Sequence, residues 1–454
     1  MIALSVEQIL EATGGTLQSG NPKQNFSGIT TDSRCVAYGD LFVPIAGETF
    51  DAHDFIDSAL KSGASGILTH KDLKLVTDSA VIRVQDTKKA YGAIASYYKQ
   101  MLAPKTVAVT GSVGKTTTKD MIACVLAEGF CVTATEKNYN NDIGVPHTLF
   151  KLTPQTEAAV IEMGMNHFGE IRYLSSLVKP DAAVISNIGM SHIENLGSQE
   201  GILKAKLEVL EYLHEDGVLF VNGDDAFLSS VTAPRKIVRF GLGEGNDYRA
   251  VNLCPGAEEI SFDVLCKKQK AHVHLRVPGE HNVYNALAAI AVGAFYGMKM
   301  EQAVAGVEKF VPSDKRMNII RTDKLLILND CYNASPASVE AAVNVLCGLE
   351  STRKVAVLGD IKELGDFAPA AHGKIGKKVA RAGLDCLIAI GENAKFIYRG
   401  ALEGGLAESQ VYCFKTRQQA IEALPGLIQN GDAVLVKASR AMQLEHVTEA
   451  LREL

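Results

Sequence analysis

Tryptophan is absent from the 454 residues, and no stretch approaches the ~18 consecutive apolar residues of a membrane span. No C-x-x-C pair occurs. The nine cysteines, an odd number, are scattered from Cys35 to Cys413. The nearest two, Cys124 and Cys131, match neither zinc spacing nor a disulfide framework, so the cysteines read as reduced thiols packing mostly as small apolar residues. Positive charge is not in excess: the formal net charge is -6, which gives no basic face for nucleic acid. Met1-Ile2-Ala3-Leu4 lacks a basic n-region and a cleavable apolar core, and a cytoplasmic location is expected. No G-x-G-x-x-G follows an apolar strand. Gly241-Leu242-Gly243-Glu244-Gly245 fails that spacing and precedes no helix, so it reads as a turn and argues against a dinucleotide cofactor.

What is present belongs to a folded enzyme. Hydrophobic residues make up 47% and charged residues 22%, with 40 glycines. At ~150 residues per domain, three domains are expected, each able to bury its own core. The most informative stretch runs from Thr106 to Asp120. Val107-Ala108-Val109 is a short apolar strand, Thr110-Gly111-Ser112-Val113-Gly114-Lys115-Thr116-Thr117-Thr118 a phosphate loop, and an amphipathic helix follows. Such a loop turns backbone N–H groups and a positive helix end toward a polyphosphate, with Lys115 as a mobile charge and the Thr116 hydroxyl placed for Mg2+. The usual G-x-x-x-x-G-K-[ST] loop has its first glycine where Val109 stands here; this chain has Gly111 instead, a variant with its glycines closer together.

Before this loop, short strand signals alternate with one or two helices, and a turn precedes the strand in Tyr38 to Ile45. Arg34 and His53 are anion or substrate candidates there, against the plainer reading of a surface arginine near a turn. After the loop, strands 106–109, 158–161, 182–186 and 218–221 are apolar throughout, as parallel strands covered on both faces must be, and a doubly wound sheet binds ligands at their carboxyl ends. Glu162 falls at such an end, where an acid serves the nucleotide's Mg2+, and His192 follows the next strand by a short loop. In the helical segment Glu200 to Leu213, Lys206 lies among Ile202, Leu203, Val209 and Leu210, whereas Lys204 shares a solvated face with Glu200 and Glu208. Lys206 either is buried, with a depressed pKa, or snorkels to the surface; periodicity leaves both open.

Residues 225–277 read as irregular. Pro278-Gly279-Glu280-His281 then opens an alanine-rich helix with Asn282 and Asn285 on one face near its start, as capping residues or as contacts for a base or ribose. Past Val311-Pro312-Ser313 a second alternating block begins, with strands 325–328, 354–358, 386–390 and 433–436, a Rossmann-like pattern. Polar clusters stand at the strand ends: Asn329-Asp330-Cys331-Tyr332-Asn333, Gly359 to Gly365, and Lys437-Ala438-Ser439-Arg440.

Together the phosphate loop, Glu162 after its strand, His192, Lys206, His281-Asn282-x-x-Asn285-Ala286, Arg316 and Asp330 resemble, in order and over the whole chain, the Mur ligase family, ATP-dependent amide-forming enzymes of peptidoglycan synthesis. Asn138-Tyr139-Asn140-Asn141-Asp142, Tyr332-Asn333-Ala334, Leu358-Gly359-Asp360-x-x-Glu363-Leu364-Gly365 and Lys437-x-Ser439-Arg440 resemble the branch that joins D-alanyl-D-alanine to UDP-N-acetylmuramoyl-tripeptide. The D-N-P-R signature of the diamino-acid-adding branch is absent.

The resemblance implies an α/β chain of three domains. These are a small α/β domain at 1–103 binding the UDP end, a central ATPase-like domain at 104–312 with a mostly parallel sheet, and a Rossmann-like domain at 313–454 bringing the dipeptide. It implies ATP contacts from Gly111, Ser112, Val113, Gly114, Lys115, Thr116, Thr117, Asn282, Asn285, Arg316 and Asp330. Two Mg2+ ions are expected on Thr116, Glu162, His192 and a carbamylated Lys206, with Lys115, Glu162, His192 and Lys206 carrying the chemistry. Substrate contacts are expected from Ser33, Arg34 and the loop from Gly47 to Asp54, from Asn138, Asn140, Asn141, Asn166 and His167, and from Tyr332, Asn333, Lys437, Ser439 and Arg440. Partners are these small molecules alone, with a monomer expected. A diamino-acid-adding ligase, a folylpolyglutamate synthase relative and a nucleotide switch are the alternatives.

Overall fold

The structure, a computed structural model, describes residues 1–47, 49–72, 77–312 and 315–454. Glu48 in the expected substrate loop and Ser313 at the expected domain boundary therefore lie outside the described residues.

Three α/β domains follow one another. In the first, a five-stranded sheet runs Thr16–Ser19, Ala80–Arg83, Gly66–Thr69, Asp40–Phe42, Gly28–Thr30, parallel except for its first pair. The helix Thr87–Leu102 starts where Asp86 accepts from the Lys88 and Lys89 amides, a side-chain cap for orphan helix donors. This helix is the seam to the next domain. Tyr98 OH accepts from Ile2 N and donates to Leu152 O, both at 2.9 Å, and Tyr91 packs against Phe150 with centroids 5.2 Å apart.

The central sheet has nine strands, and Lys105–Thr110 lies between Ala158–Glu162 and Ala182–Ile185, parallel to both. Val107, Ala108 and Val109 are buried, because helices cover both faces of this sheet. The chain winds to opposite sides of Lys105–Thr110, so the carboxyl ends around it form the crevice that this topology opens to ligands.

The region 225–277 is not irregular. Lys236–Gly241, Tyr248–Pro255, Ile260–Cys266 and Gln269–Leu275 extend the sheet, the last two antiparallel. Ile260, Phe262, Val264 and Cys266 alternate inward with half-buried Ser261, Asp263 and Leu265, the period-2 pattern of a sheet with one covered face. The turn at 241–245 is held by Asp224, whose carboxylate accepts from Leu242 N and Gly243 N.

The segment expected as one helix to Leu213 is an α-helix only over Gln199–Leu207 and then a 3-10 turn, Glu208–Glu211. Lys204 is exposed as expected, but Glu208 is not on a solvated face. Its carboxylate accepts from Gly169 N and Arg172 N at 2.9–3.1 Å and so caps the helix Glu170–Val178 from inside.

The third domain is a six-stranded sheet in the order Asn318–Arg321, Leu326–Asn329, Asp432–Lys437, Arg353–Gly359, Cys386–Ile390, Val411–Phe414, parallel after its first pair. The cysteines are free but not mostly packed away. Cys266, Cys331 and Cys386 are buried, whereas Cys35, Cys131, Cys254 and Cys413 are exposed. Among the described residues no helix is long and apolar enough to cross a membrane.

Candidate active site

The phosphate loop is fixed by its neighbours before any ligand arrives. Gly111 sits at φ +149° and Gly114 at +81°. A Cβ at Gly111 would collide with Ser186 Oγ, and one at Gly114 would lie 2.9 Å from Asn285 Oδ1. Ser186 Oγ donates to Val113 O at 2.6 Å, and Asn187 clamps Val113 from both sides, its Oδ1 accepting from the amide at 2.8 Å and its Nδ2 donating to the carbonyl at 3.0 Å. Lys115 folds back on the loop, donating to Gly111 O at 2.9 Å. Burial is the main cause that pulls its pKa below the ordinary lysine value.

The helix Lys115–Leu126 is locked to the helix Glu280–Phe295 by a buried relay. Thr118 Oγ1 donates to Asn285 Oδ1 at 2.9 Å, Asn285 Nδ2 to Asn282 Oδ1 at 3.2 Å, and Asn282 Nδ2 to Pro278 O at 2.8 Å. The two asparagines thus carry packing as well as facing the cavity described below.

Glu162 is 2% exposed at the end of its strand. Asn140 Nδ2 donates to its Oε1 at 2.7 Å, while its Oε2 is buried without a hydrogen-bond partner. A bare carboxylate oxygen in such a place is costly unless a cation or donor completes it. Lys206 is also 2% exposed, so it does not snorkel. Burial holds its pKa well below the ordinary lysine value, and the neighbouring Lys115 charge pushes in the same direction. His192, at φ +62°, places Nδ1 2.5 Å from Oε2 of Glu363, a residue of the third domain.

The third domain supplies the opposite wall. Arg316 lies over the Tyr332 ring at 4.2 Å. Asp330 accepts from Met317 N at 3.1 Å and pairs with Lys437 at 2.5 Å, and Lys437 Nζ also donates to Asn333 O at 2.9 Å. Arg440 pairs with Glu445 at 2.6 Å.

Between the walls is a cavity of about 460 Å³, lined by Ser112 to Thr117, Asn138, Asn140, Asn141, Glu162, Asn166, His192, Asn282 and Asn285 from one side. Arg316, Asp330, Tyr332, Asn333, Lys437 and Arg440 face them. Other expected residues are not on its lining. Gly111 and the buried Lys206 do not line it, His167 stands exposed beside Glu170 at 3.3 Å, and Ser439 Oγ is engaged by Lys362 N at 2.9 Å.

Ser33 and Arg34 lie in the first domain. Arg34 is exposed and paired with Asp32 at 2.7 Å, which pulls that carboxyl down to about 2. In the loop beyond Gly47, His53 is buried with Nδ1 2.7 Å from Asp51, and Lys71 reaches the same carboxylate at 2.6 Å.

Of three further groups in or near the cavity, Asp120 escaped sequence reasoning, whereas His281 and Glu363 stood inside sequence motifs without being given a role of their own. Asp120 lines the cavity four residues after Thr116, a spacing that puts both on one helix face and could have flagged it. His281 lines it too; its burial lowers its pKa to about 4, against the opposing charge of Asp330. Glu363, from the strand-end cluster Gly359 to Gly365, reaches the site through its contact with His192.

Among the described residues no three His, Cys, Asp or Glu side chains cluster as a metal cage. The oxygen donors present, the Thr116 hydroxyl and the orphaned Glu162 Oε2, still fit Mg2+, which keeps several waters and takes nucleotide oxygens beside one or two protein ligands.

A doubly wound nucleotide-loop domain facing a Rossmann-like domain across such a cavity defines a class of ligase. Residues 109–293 match the Mur ligase middle domain, 315–440 the Mur ligase glutamate ligase domain, and 25–99 the Mur ligase family catalytic domain. The chain belongs to the Mur ligase family, and by that membership is an ATP-dependent ligase. It is 39% identical to the UDP-N-acetylmuramoyl-tripeptide–D-alanyl-D-alanine ligase of Bacillus subtilis (strain 168), across 100% of this chain and 99% of that one. The enzyme of the same name from Escherichia coli (strain K12) is 36% identical over the same shares. Among solved structures, MurF from Acinetobacter baumannii superposes with a TM-score of 0.94 at 33% identity, covering 100% of this chain and 99% of that one. MurF ligase from Thermotoga maritima in complex with ADP superposes with a TM-score of 0.84 at 27% identity, over 94% and 97%.

Proposed function

We propose that this chain joins D-alanyl-D-alanine to UDP-N-acetylmuramoyl-tripeptide, at the expense of ATP and through an acyl phosphate. The observation that carries the reading is the two-walled cavity, with a phosphate loop and an orphaned acid on one side and Arg316, Asp330, Lys437 and Arg440 on the other. It offers one wall for a nucleotide and a carboxylate substrate, and another rich in cations for a dipeptide that ends in a carboxylate.

In this reading residues 1–103 hold the UDP end, with Ser33, Arg34 and the loop beyond Gly47 as contacts. Residues 104–312 hold ATP and residues 313–454 present the dipeptide. The tripeptide carboxylate attacks the γ-phosphorus and ADP leaves. The dipeptide amine then adds to the acyl carbonyl, and the tetrahedral intermediate expels phosphate. Two anions must approach in the first step, and Lys115 offsets their repulsion from the loop. When bound, Mg2+ neutralises phosphate charge, and Thr116, Glu162, His192 and Lys206 as its carbamate are the residues that would hold two such ions. Lys206 suits carbamate formation because its burial favours the neutral amine, which is the form that takes up CO2. Asn282, Asn285, Arg316 and Asp330 contact the nucleotide, and Asn138, Asn140, Asn141, Asn166, His167, Tyr332, Asn333, Lys437, Ser439 and Arg440 the peptide parts. No side-chain nucleophile is needed, so positioning and charge stabilisation dominate. The protein works in the cytoplasm as a monomer.

The test is phosphate and ADP release with Mg2+-ATP and the UDP-muramoyl-tripeptide. Strict dependence on D-alanyl-D-alanine and a product of pentapeptide mass are the expected result. Release that follows a diamino acid on the dipeptide precursor would move the chain to the sister step. Release indifferent to any peptide would sink the ligase reading.

A further inference from the structure

Glu162 reaches the cavity as the last residue of the strand Ala158–Glu162, and its surroundings treat its two carboxylate oxygens differently. Its backbone N–H donates to Thr135 Oγ1 at 3.0 Å, which fixes where the side chain leaves the strand end. Oε1 accepts from Asn140 Nδ2 at 2.7 Å. An ionised carboxylate only accepts, so the amide must present its NH2 group there. Oε2 is left buried with no partner.

Asn140 is held for this contact by its own neighbours. It lies in the loop between the strand Val132–Ala134 and the helix Gly144–Leu149, and its backbone carbonyl accepts from Gly164 N at 2.8 Å. Gly164 follows Glu162 by two residues and leaves no room for a side chain. An added Cβ would stand 2.9 Å from Asn140 Oδ1 and 3.0 Å from its Cγ. The amide is therefore laid against the backbone that follows Glu162, and its bond to the carboxylate is of the short, charge-assisted kind. With Oε1 occupied, the acid meets a cation through Oε2 alone and from a fixed direction, which suits an ion that demands near-ideal octahedral geometry.

We infer that Asn140 is a positioning residue for the metal ion: by occupying Oε1 it holds the Glu162 carboxylate so that Oε2 is the ligand. The inference rests on the proposed function, in which Glu162 holds a metal ion and Asn140 meets the peptide. It deepens that reading by giving Asn140 a task that needs no peptide.

The test uses the full-length protein without the tripeptide, so that a peptide contact of Asn140 cannot contribute. Binding of the Mn2+ complex of a non-hydrolysable ATP analogue is followed by electron paramagnetic resonance, and binding of the metal-free analogue by calorimetry in EDTA. Asn140→Ala is expected to weaken binding of the Mn2+ complex about 10- to 100-fold and to leave the metal-free affinity unchanged. In a Glu162→Gln background the same change is expected to have no further effect, since Asn140 acts through that carboxylate. Should Asn140→Ala fail to fold, Gly164→Ala, whose new Cβ presses on the Asn140 side chain, is read in the same way. Unchanged affinity for the Mn2+ complex, an equal loss with and without metal, or additive losses in the double variant would each overturn the inference. The ligase assay is read separately. If the wild-type protein makes no pentapeptide while the metal-dependent loss appears, the proposed function fails and the positioning role stands; if pentapeptide forms and the loss is absent, only the positioning role falls.

Discussion

At the scale of single residues, Lys206 is the most unusual group in the molecule, a buried lysine whose neighbouring charge is another cation. Its effect on stability has a definite sign. In the unfolded chain a lysine keeps its proton to about pH 10.5, whereas the folded protein releases it well below that value. Between the two the unfolded state binds more protons, so stability rises with pH through that window and the lysine is most destabilising on its low-pH side. Lys206→Met, matched in length and uncharged, should therefore stabilise the fold in carbonate-free buffer by an amount on the order of 1 kcal/mol or more, seen as a higher melting temperature. The gain should be larger at pH 7 than at pH 10 by calorimetry, while ligase turnover disappears. A variant that melts lower at both pH values would mean that the amine has a partner after all.

At the scale of elements, the relay from Thr118 through Asn285 and Asn282 holds the phosphate-loop helix against the alanine-rich helix. Thr118→Val keeps the shape but leaves Asn285 Oδ1 without its donor, and should cost about 1–3 kcal/mol in urea unfolding. Glycine at 114 allows the same contact, since a Cβ there would press on Asn285. The central parallel strands were legible in the sequence because burial on both faces leaves a continuous apolar run, as in Val107-Ala108-Val109. The strands between residues 236 and 275 were not, because one covered face halves the apolar signal and Ser261 or Asp263 breaks each run. The same division holds in the site. The phosphate loop and Glu162 are local patterns of strand end and turn. Asn285 was visible as a residue, but its bond to Thr118 spans 167 positions, and Glu363 meets His192 only through the packing of two sheets. Glu208 was misjudged for a related reason: helical periodicity assumed the helix continued, and a 3-10 turn rotated that residue inward.

At the scale of the whole molecule, His281 reports on how the two walls sit together. It is kept neutral by burial, with Asp330 and Lys437 of the third domain acting on it in opposite directions. Because its folded-state pKa is about 4 against an ordinary 6.5, the unfolded chain takes up a proton first on acidification. Stability is accordingly lost as pH falls from about 6.5 to about 4, and His281→Leu should flatten the melting temperature over that window in a scan from pH 7 to pH 4. An unchanged slope would place the acid sensitivity elsewhere. The chain crosses from the central to the third sheet once, between Glu308 and Asn318, and the contacts that bring the walls together include a half-exposed ion pair at His192 and another between Arg321 and Glu258. A tether of this kind turns the encounter of the two walls into an intramolecular event, with an effective concentration of roughly millimolar order. Exposed ion pairs that would add little between separate proteins then contribute to holding the two walls of the cavity together.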